Sequence, residues 1–221
     1  MHRLKVMLKS KKKILIVIGS VLILCLVIIF IFLNDRSNFF GVNDNDARKF
    51  KEEYENLNDQ INEDGKKYPE VHLGTNNIIE YVTVEEVVEL FEENKDMVIY
   101  FGEATCLYCR TAVKILCDVA ETTDLSVIYY LPIAENNNYD EILKYLKEEL
   151  IKENEGKKEI SIPLVIFSVN GDVVSYWEGT LFSQKTPYDE LDESQIQGLS
   201  EIYKYGINDV LQGLKAKDII T

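Results

Sequence analysis

One uncharged run, ILIVIGSVLILCLVIIFIFL from Ile14 to Leu33, constrains this chain more than any other feature, because it continues for 20 positions. A helix rising ~1.5 Å per residue carries such a run across the ~30 Å hydrocarbon core of a bilayer. Before it stand Arg3, Lys5, Lys9, Lys11, Lys12 and Lys13 with no acidic residue. By the positive-inside rule the amino terminus stays in the cytoplasm and everything after Leu33 lies outside. The sequence thus predicts a basic cytoplasmic tail over 1–13, one transmembrane helix over 14–33 and an extracytoplasmic remainder. A cleaved signal peptide fits less well, since no small-x-small pattern follows Leu33, where the chain reads NDRSNFF. A lipoprotein signal would want a small residue just before Cys25, but Leu22, Ile23 and Leu24 stand there. Cys25 reads as a lipid-facing or packing thiol.

Charge narrows the partners. The chain has 24 Lys and Arg against 38 Asp and Glu, a formal net charge of −14. All the acidic residues follow Leu33, together with the remaining 18 basic ones, so the outer part carries a formal −20. Such a surface repels polyanions, which argues against nucleic acid as a partner. It would attract cationic peptides, unless the charge serves solubility alone. With 46% apolar residues the chain can bury a core.

After Asn34 the composition turns polar, and Ala47, Phe50, Tyr54, Leu57 and Ile61 recur at helical spacing. This stretch, 34–71, reads as a helical stalk, either a short coiled-coil contact or, as two heptads favour, a helix laid against its own domain. Asp64, Gly65 and Pro69 break it. The domain expected over 72–221 alternates strands and helices. Ile78 to Val82 reads as a strand, and Thr83 with Glu86 forms a capping-box pattern before the Val84, Val87, Val88, Phe91 face. A strand from Met97 to Phe101 precedes a helix through Val113, Leu116 and Cys117. A strand from Leu125 to Leu131 and a helix with Tyr139, Ile142, Leu143, Leu146 and Leu150 follow. Leu164 to Val169 and Val173 to Trp177 flank Asn170-Gly171, a hairpin signal. A last helix near Ser194 keeps Ile196, Leu199, Tyr203, Ile207, Val210, Leu211 and Leu214 on one side. Residues 179–193 form a long acidic loop.

The chemistry is carried by Cys106-Leu107-Tyr108-Cys109, placed where the apolar strand MVIYF passes through Gly102-Glu103-Ala104-Thr105 into a helix. The amides and dipole of a helix amino terminus favour thiolate over thiol and lower the first cysteine from its free value of ~8.5. Cys106 is thereby the nucleophile. Cys109, one turn on and less exposed, can attack a mixed disulfide at Cys106 and release the substrate. Arg110 would add positive charge close by and Glu103 would oppose it, so both are candidate pKa modulators. A zinc site would need two more ligands, and Cys117 and His72 alone stand available after the anchor. A merely structural disulfide across two residues would close a loop too small to restrain the unfolded chain much. Cys117, on the apolar side of the same helix, reads as a buried thiol or, less readily, as a regulatory partner.

With the element order, the CxxC between second strand and second helix, and Ile162-Pro163 opening the next strand, residues 72 to 216 resemble a complete thioredoxin fold. That is an α/β fold with a central mixed sheet and flanking helices. The resemblance implies a cis proline at Pro163 whose loop faces the cysteine pair. It implies a substrate-binding surface of Ile162 and Pro163, with Thr105, Leu107 and Tyr108 around the pair. YFGEATCLYCR and DESQIQGLSEIYKYGINDVL are also similar to segments of bacteriocin transport accessory proteins and related membrane-anchored thioredoxin-like proteins of Gram-positive bacteria. The chain departs from thioredoxin at Thr105 (usually Trp), at Leu107-Tyr108 (Gly-Pro) and at Tyr100 (a buried carboxylate). These changes bear on redox potential and on the proton route. Glu103 is either a substitute proton acceptor or a solvated turn carboxylate.

The expected function is a membrane-tethered, extracytoplasmic thiol-disulfide oxidoreductase acting on protein cysteines, in a compartment where disulfides persist. Oxidase, reductase and isomerase share this constellation. No metal or dissociable cofactor is expected, since the Cys106–Cys109 disulfide is itself the redox group. The expected partners are cysteine-containing secreted or envelope proteins and peptides, bacteriocins among them, a redox partner protein and the membrane through 14–33. The competing classes are a binding or chaperone module for secretion and a structural envelope protein presenting its stalk; both would survive loss of the two cysteines.

Overall fold

In a computed structural model the described residues are 44–133, 139–154 and 156–220, the side chains of 44 and 214–220 excepted. The basic tail 1–13, the span expected at 14–33, Cys25 and the first part of the expected stalk lie outside them. Among the described residues no helix is long and apolar enough to cross a membrane.

The centre of the molecule is the strand β2 (Met97–Gly102), every residue of which is buried. A strand covered on both faces has no use for alternation with polar residues, which is why MVIYF is apolar without a break. β2 runs parallel to β3 (Ile128–Pro132), which is parallel in turn to β1 (Ile79–Tyr81). On its other side β2 is antiparallel to β6 (Leu164–Val169), and β6 to β7 (Asp172–Glu178). The five-stranded order is β1-β3-β2-β6-β7. The β6–β7 connection is the Asn170-Gly171 turn, with φ of 54° and 77°. Both residues need the left-handed region, and Asn and Gly enter it most readily.

Alternation along the strands divides the core in two. On one face Val98 and Tyr100 of β2, Ile128 and Tyr130 of β3 and Val165 and Phe167 of β6 meet three helices. These are α1 (Asp44–Glu55), α3 (Leu107–Ala120) and α5 (Glu193–Ile220). On the other face Met97, Ile99, Phe101, Leu131 and Ile166 meet α2 (Val84–Glu92) and α4 (Asp140–Leu143). The start of α2 is fixed by its capping box: Thr83 Oγ1 accepts the Glu86 amide at 3.2 Å, and Glu86 Oε2 accepts the Thr83 amide at 2.8 Å. Helix α5 approaches β6 closely enough that a Cβ at Gly206 would lie 2.4 Å from the Phe167 ring.

Two regions differ from the sequence reading. The helix expected through Tyr139, Ile142, Leu143, Leu146 and Leu150 is one turn, α4, followed by a 3-10 turn at Glu148–Leu150. Tyr139 provides no side-chain cap to start a longer helix, yet Ile142, Leu143, Leu146 and Leu150 are all buried. The apolar spacing was a packing requirement that a turn and a 3-10 segment also meet. The hairpin of β4 (Ile151–Asn154) and β5 (Lys157–Ile160), outside the main sheet, was unforeseen. Its charged sequence has no alternation to announce strands, and it is anchored through buried Ile160 and half-buried Ile151 at its base.

Helix α1 belongs to the same compact unit, Val42–Thr221, as the sheet. Its Ala47, Phe50 and Tyr54 are buried, whereas Ile61, beyond its end, is 60% exposed. The mixed α/β architecture, with its central sheet and flanking helices, fits a thioredoxin fold. In that fold the carboxyl end of β2 and the start of α3 meet the turn that enters β6.

Candidate active site

The turn after β2 brings the cysteine pair to the amino terminus of α3. Cys106 is the N-cap residue, in an extended conformation (φ −71°, ψ 116°). Its Sγ accepts the Cys109 amide at 3.2 Å, so a sulfur takes the place that a Ser or Asp oxygen fills at most helix starts. Cys109 is fully buried, and Cys106 is half-exposed.

The two thiols are displaced in opposite directions. Cys106 is held below the usual thiol value, first by its hydrogen bond with the Cys109 side chain, then by the amides of Cys109 and Tyr108; burial and the Glu103 charge oppose this. Cys109 is pushed well up, chiefly by burial and then by Cys106 itself. The pair therefore favours a thiolate on Cys106 with the proton on Cys109. Cys117 stands apart, pushed up to about 12 by burial and by the nearby Asp118 and Glu121 charges.

Across from the pair, the Ile162–Pro163 peptide is cis. The Ile162 carbonyl oxygen lies 4.0 Å from Cys106 Sγ, within reach of the thiol hydrogen. Pro163 O accepts the Gly179 amide at 2.7 Å, which fixes this turn to the end of β7. Thr105 is exposed and Leu107 and Tyr108 are half-buried beside the pair. The structure thus brings Cys106 beside Ile162, while Pro163 is buried.

Arg110 has a different place from the one its sequence position suggested. It is 1% exposed. Its Nε donates to Pro69 O (2.6 Å), its Nη1 to Tyr54 O (2.8 Å) and Ala104 O (3.2 Å), and its Nη2 to Asn58 Oδ1 (2.6 Å). The guanidinium, lying over the Tyr68 ring, ties the last turn of α1 and the loop at Pro69 to the turn before Cys106. The effects that lower Cys106 most are hydrogen bonds from Cys109 and Tyr108. Glu103 is half-buried and acts on Cys106 by charge, in the raising direction.

Behind Cys109 is a group of tyrosines that sequence reasoning passed over. Tyr100 and Tyr130 are register partners on β2 and β3, with stacked rings 5.4 Å apart. The Tyr100 hydroxyl donates to the Cys109 carbonyl oxygen at 3.5 Å. It lies 2.9 Å from the Tyr54 hydroxyl. Tyr130 donates to Glu53 Oε1 at 3.2 Å. Tyr54 lies in the apolar stripe of α1, a position that packing alone accounts for. The available signal was parity: Tyr100 and Tyr130 fall on one sheet face, the face that a helix carrying Tyr54 must cover.

No protein-family model matches the chain, and no curated protein matches it. Among solved structures it is similar to thioredoxin from Aeropyrum pernix, at 17% identity over 56% of this chain and 86% of that one, with a TM-score of 0.34. It is also similar to thioredoxin O1 from Arabidopsis thaliana in its oxidized state, at 16% identity over 58% of this chain and 100% of that one, with a TM-score of 0.36.

Proposed function

We propose that this chain is an extracytoplasmic, membrane-tethered thiol-disulfide oxidoreductase that acts on protein cysteines through Cys106 and Cys109. The observation that carries the reading is the placement of the two thiols, Cys106 at the N-cap of α3 beside the Ile162 carbonyl and Cys109 fully buried one turn on. A partly exposed sulfur that is easily ionised can attack, and a buried one that keeps its proton can wait to resolve.

In the reducing direction the Cys106 thiolate attacks one sulfur of a substrate disulfide. The new Sγ–S bond forms as the substrate S–S bond breaks, and the departing thiolate takes a proton. Cys109 then loses its proton and attacks Cys106 Sγ, closing the Cys106–Cys109 disulfide and releasing the second substrate thiolate. The oxidising direction is the same path reversed. A substrate strand lying beside the Ile162–Pro163 turn would have its sulfur against Cys106.

The proposed substrates are cysteine-containing secreted or envelope polypeptides. The formal −20 of the outer part supports a preference for cationic ones, such as secreted peptides of the bacteriocin type. The uncharged run at 14–33 and the basic residues before it support the tether and its orientation.

The test is capture. A full-length Cys109→Ser protein should accumulate mixed disulfides with its substrates in cells, and a Cys106→Ser protein should accumulate none. If both replacements leave the cellular phenotype and the partners unchanged, the chain is a binding module and this reading falls. Protease added to cells stripped of their wall should digest the domain and spare an amino-terminal tag; protection of the domain would overturn the orientation.

A further inference from the structure

Helix α3 does more than present the cysteine pair. Leu107, Thr111, Lys114 and Asp118 recur at intervals of three and four, so they share one face of the helix. That face begins with the residue next to Cys106 and leads along the helix axis into a groove.

The groove has a volume of about 680 Å³ and lies between α3, Pro69 and Glu70, the loop 187–191 and the start of α5. Its inner surface is apolar: Ile115 is buried, Leu191 is half-buried, and Ile196, 43% exposed, opens to solvent. The loop wall is held in place. Tyr188 accepts a hydrogen bond from Asn62 Nδ2 and donates to Asp64 Oδ2 at 3.3 Å, with Lys66 over its ring. Buried Gln184 donates to the Asp189 carbonyl at 3.2 Å, and Asp189 Oδ2 accepts the Thr186 amide at 2.9 Å.

Charge selects the occupant. Glu70, Asp118, Asp189 and Glu190 line the groove and are all exposed, which places them at its rim. The two basic residues of the lining are already engaged: Arg110 by the three carbonyls and Asn58, Lys114 by Asp118 at 2.5 Å. His72 lies 3.7 Å from Glu70 and offsets it only when protonated. An apolar surface under a rim of carboxylates suits basic side chains, since Lys and Arg lay their stems on apolar surface and keep the charged end at the water.

The groove is within reach of the reacting sulfur. Nine residues of helix separate Cys106 from Ile115, which is ~13 Å along the axis. An extended chain at ~3.3 Å per residue covers that in about four residues.

We infer that this groove docks a basic segment of the substrate polypeptide, with an apolar side chain on Ile115 and Leu191, about four residues from the cysteine that Cys106 attacks. The inference rests on the proposed function and gives the preference for cationic substrates a place on the protein.

Two synthetic peptides test it. Each has one cysteine, capped as a disulfide with a coloured aromatic thiol, and a Leu between two Arg four to six residues away; in its twin both Arg are Glu. The full-length reduced protein in detergent micelles is mixed with each. Cys106 Sγ bonds to the peptide sulfur, the peptide–aryl S–S bond breaks, and the aryl group leaves as a coloured thiolate that gives the rate. The Arg peptide should react about 10-fold faster than its twin at low salt. The difference should fade toward 1 M salt, where the Debye length is ~3 Å. Glu70→Lys with Glu190→Lys, at the groove, should abolish or invert the preference. Glu89→Lys with Glu141→Lys makes the same change in net charge at exposed positions of α2 and α4, across the sheet, and should keep it. No preference in the parent, retention of it in the groove variant, or equal loss in both variants overturns the groove and leaves the proposed function standing. A dimer in sedimentation that the groove variant alone dissociates assigns the groove to a second copy and overturns the inference as well. If the parent releases no thiolate even from capped cysteine alone, the proposed function falls and the inference with it.

Discussion

A Cβ atom at Gly102 would lie 2.4 Å from the Tyr100 hydroxyl oxygen and 2.5 Å from its Cζ. Residues two apart on a strand share a face, so the Tyr100 ring folds back over the position where a side chain at 102 would stand. The missing side chain at Gly102 is what lets the Tyr100 hydroxyl sit behind Cys109.

Gly102→Ala should therefore push the Tyr100 ring out of place. Overpacking of this kind typically costs about 1–3 kcal/mol. Urea unfolding of the reduced protein should show a loss in that range; unchanged stability would mean that the ring moves freely.

Alkylation should distinguish the three thiols of the domain. Near neutral pH iodoacetamide should modify Cys106 first, with a rate that climbs as the pH passes the lowered Cys106 value and then levels off. Cys109, pushed up, and Cys117, pushed up to about 12, should lag by at least about 10-fold. Peptide mapping by mass spectrometry reads the order. Equal rates at Cys106 and Cys109 would remove the division of labour.

Arg110 should be worth more to stability than its position beside an active cysteine suggests. Replacing it by Met takes the guanidinium from the carbonyls of Pro69 and Ala104 and leaves that of Tyr54 with the Leu57 amide at 3.4 Å, and a buried acceptor without a partner costs about 1–3 kcal/mol. We expect Arg110→Met to lose at least ~3 kcal/mol in denaturant titration. Arg110→Lys should recover only part, because an ammonium lacks the planar fork that serves four acceptors at once.

Glu80 gives stability a pH dependence. On the edge strand β1, its carboxyl is raised from an ordinary value of 4.5 to about 7, first by burial and then by the Asp46 and Glu86 charges. Its buried Oε2 has no hydrogen-bond partner among the described residues. Below about pH 4.5 the carboxyl is neutral in both the folded and unfolded chains and costs nothing. Between there and about 7 the unfolded chain ionises first, so stability falls as the pH rises, and above 7 the penalty is complete. Glu80→Gln should raise Tm by on the order of a few degrees near pH 8, with solvent screening limiting the gain, and by nothing near pH 4. An equal shift at both pH values would assign the effect to packing.

Local chemistry was enough to read much of this protein from its sequence. The unbroken apolar strand at Met97, the Thr83–Glu86 box, the Asn170-Gly171 turn and the cysteines at the start of α3 each declare themselves within a few residues. Each rests on a backbone rule that needs no distant partner: full burial, a reciprocal cap, positive φ, a helix amino terminus. What only the tertiary structure decided depends on contacts between residues far apart in the chain. The stripe at Tyr139–Leu150 required burial, and burial alone does not choose between a helix and a turn with a 3-10 segment. Charged β4 and β5 pair with each other, and no alternation in their sequence records it. Arg110 looked like a charge for Cys106 until the end of α1 and the Pro69 loop presented their carbonyls to it. Tyr54 and Glu53 of α1 meet the hydroxyls of Tyr100 on β2 and Tyr130 on β3, contacts that form only when α1 closes over the sheet.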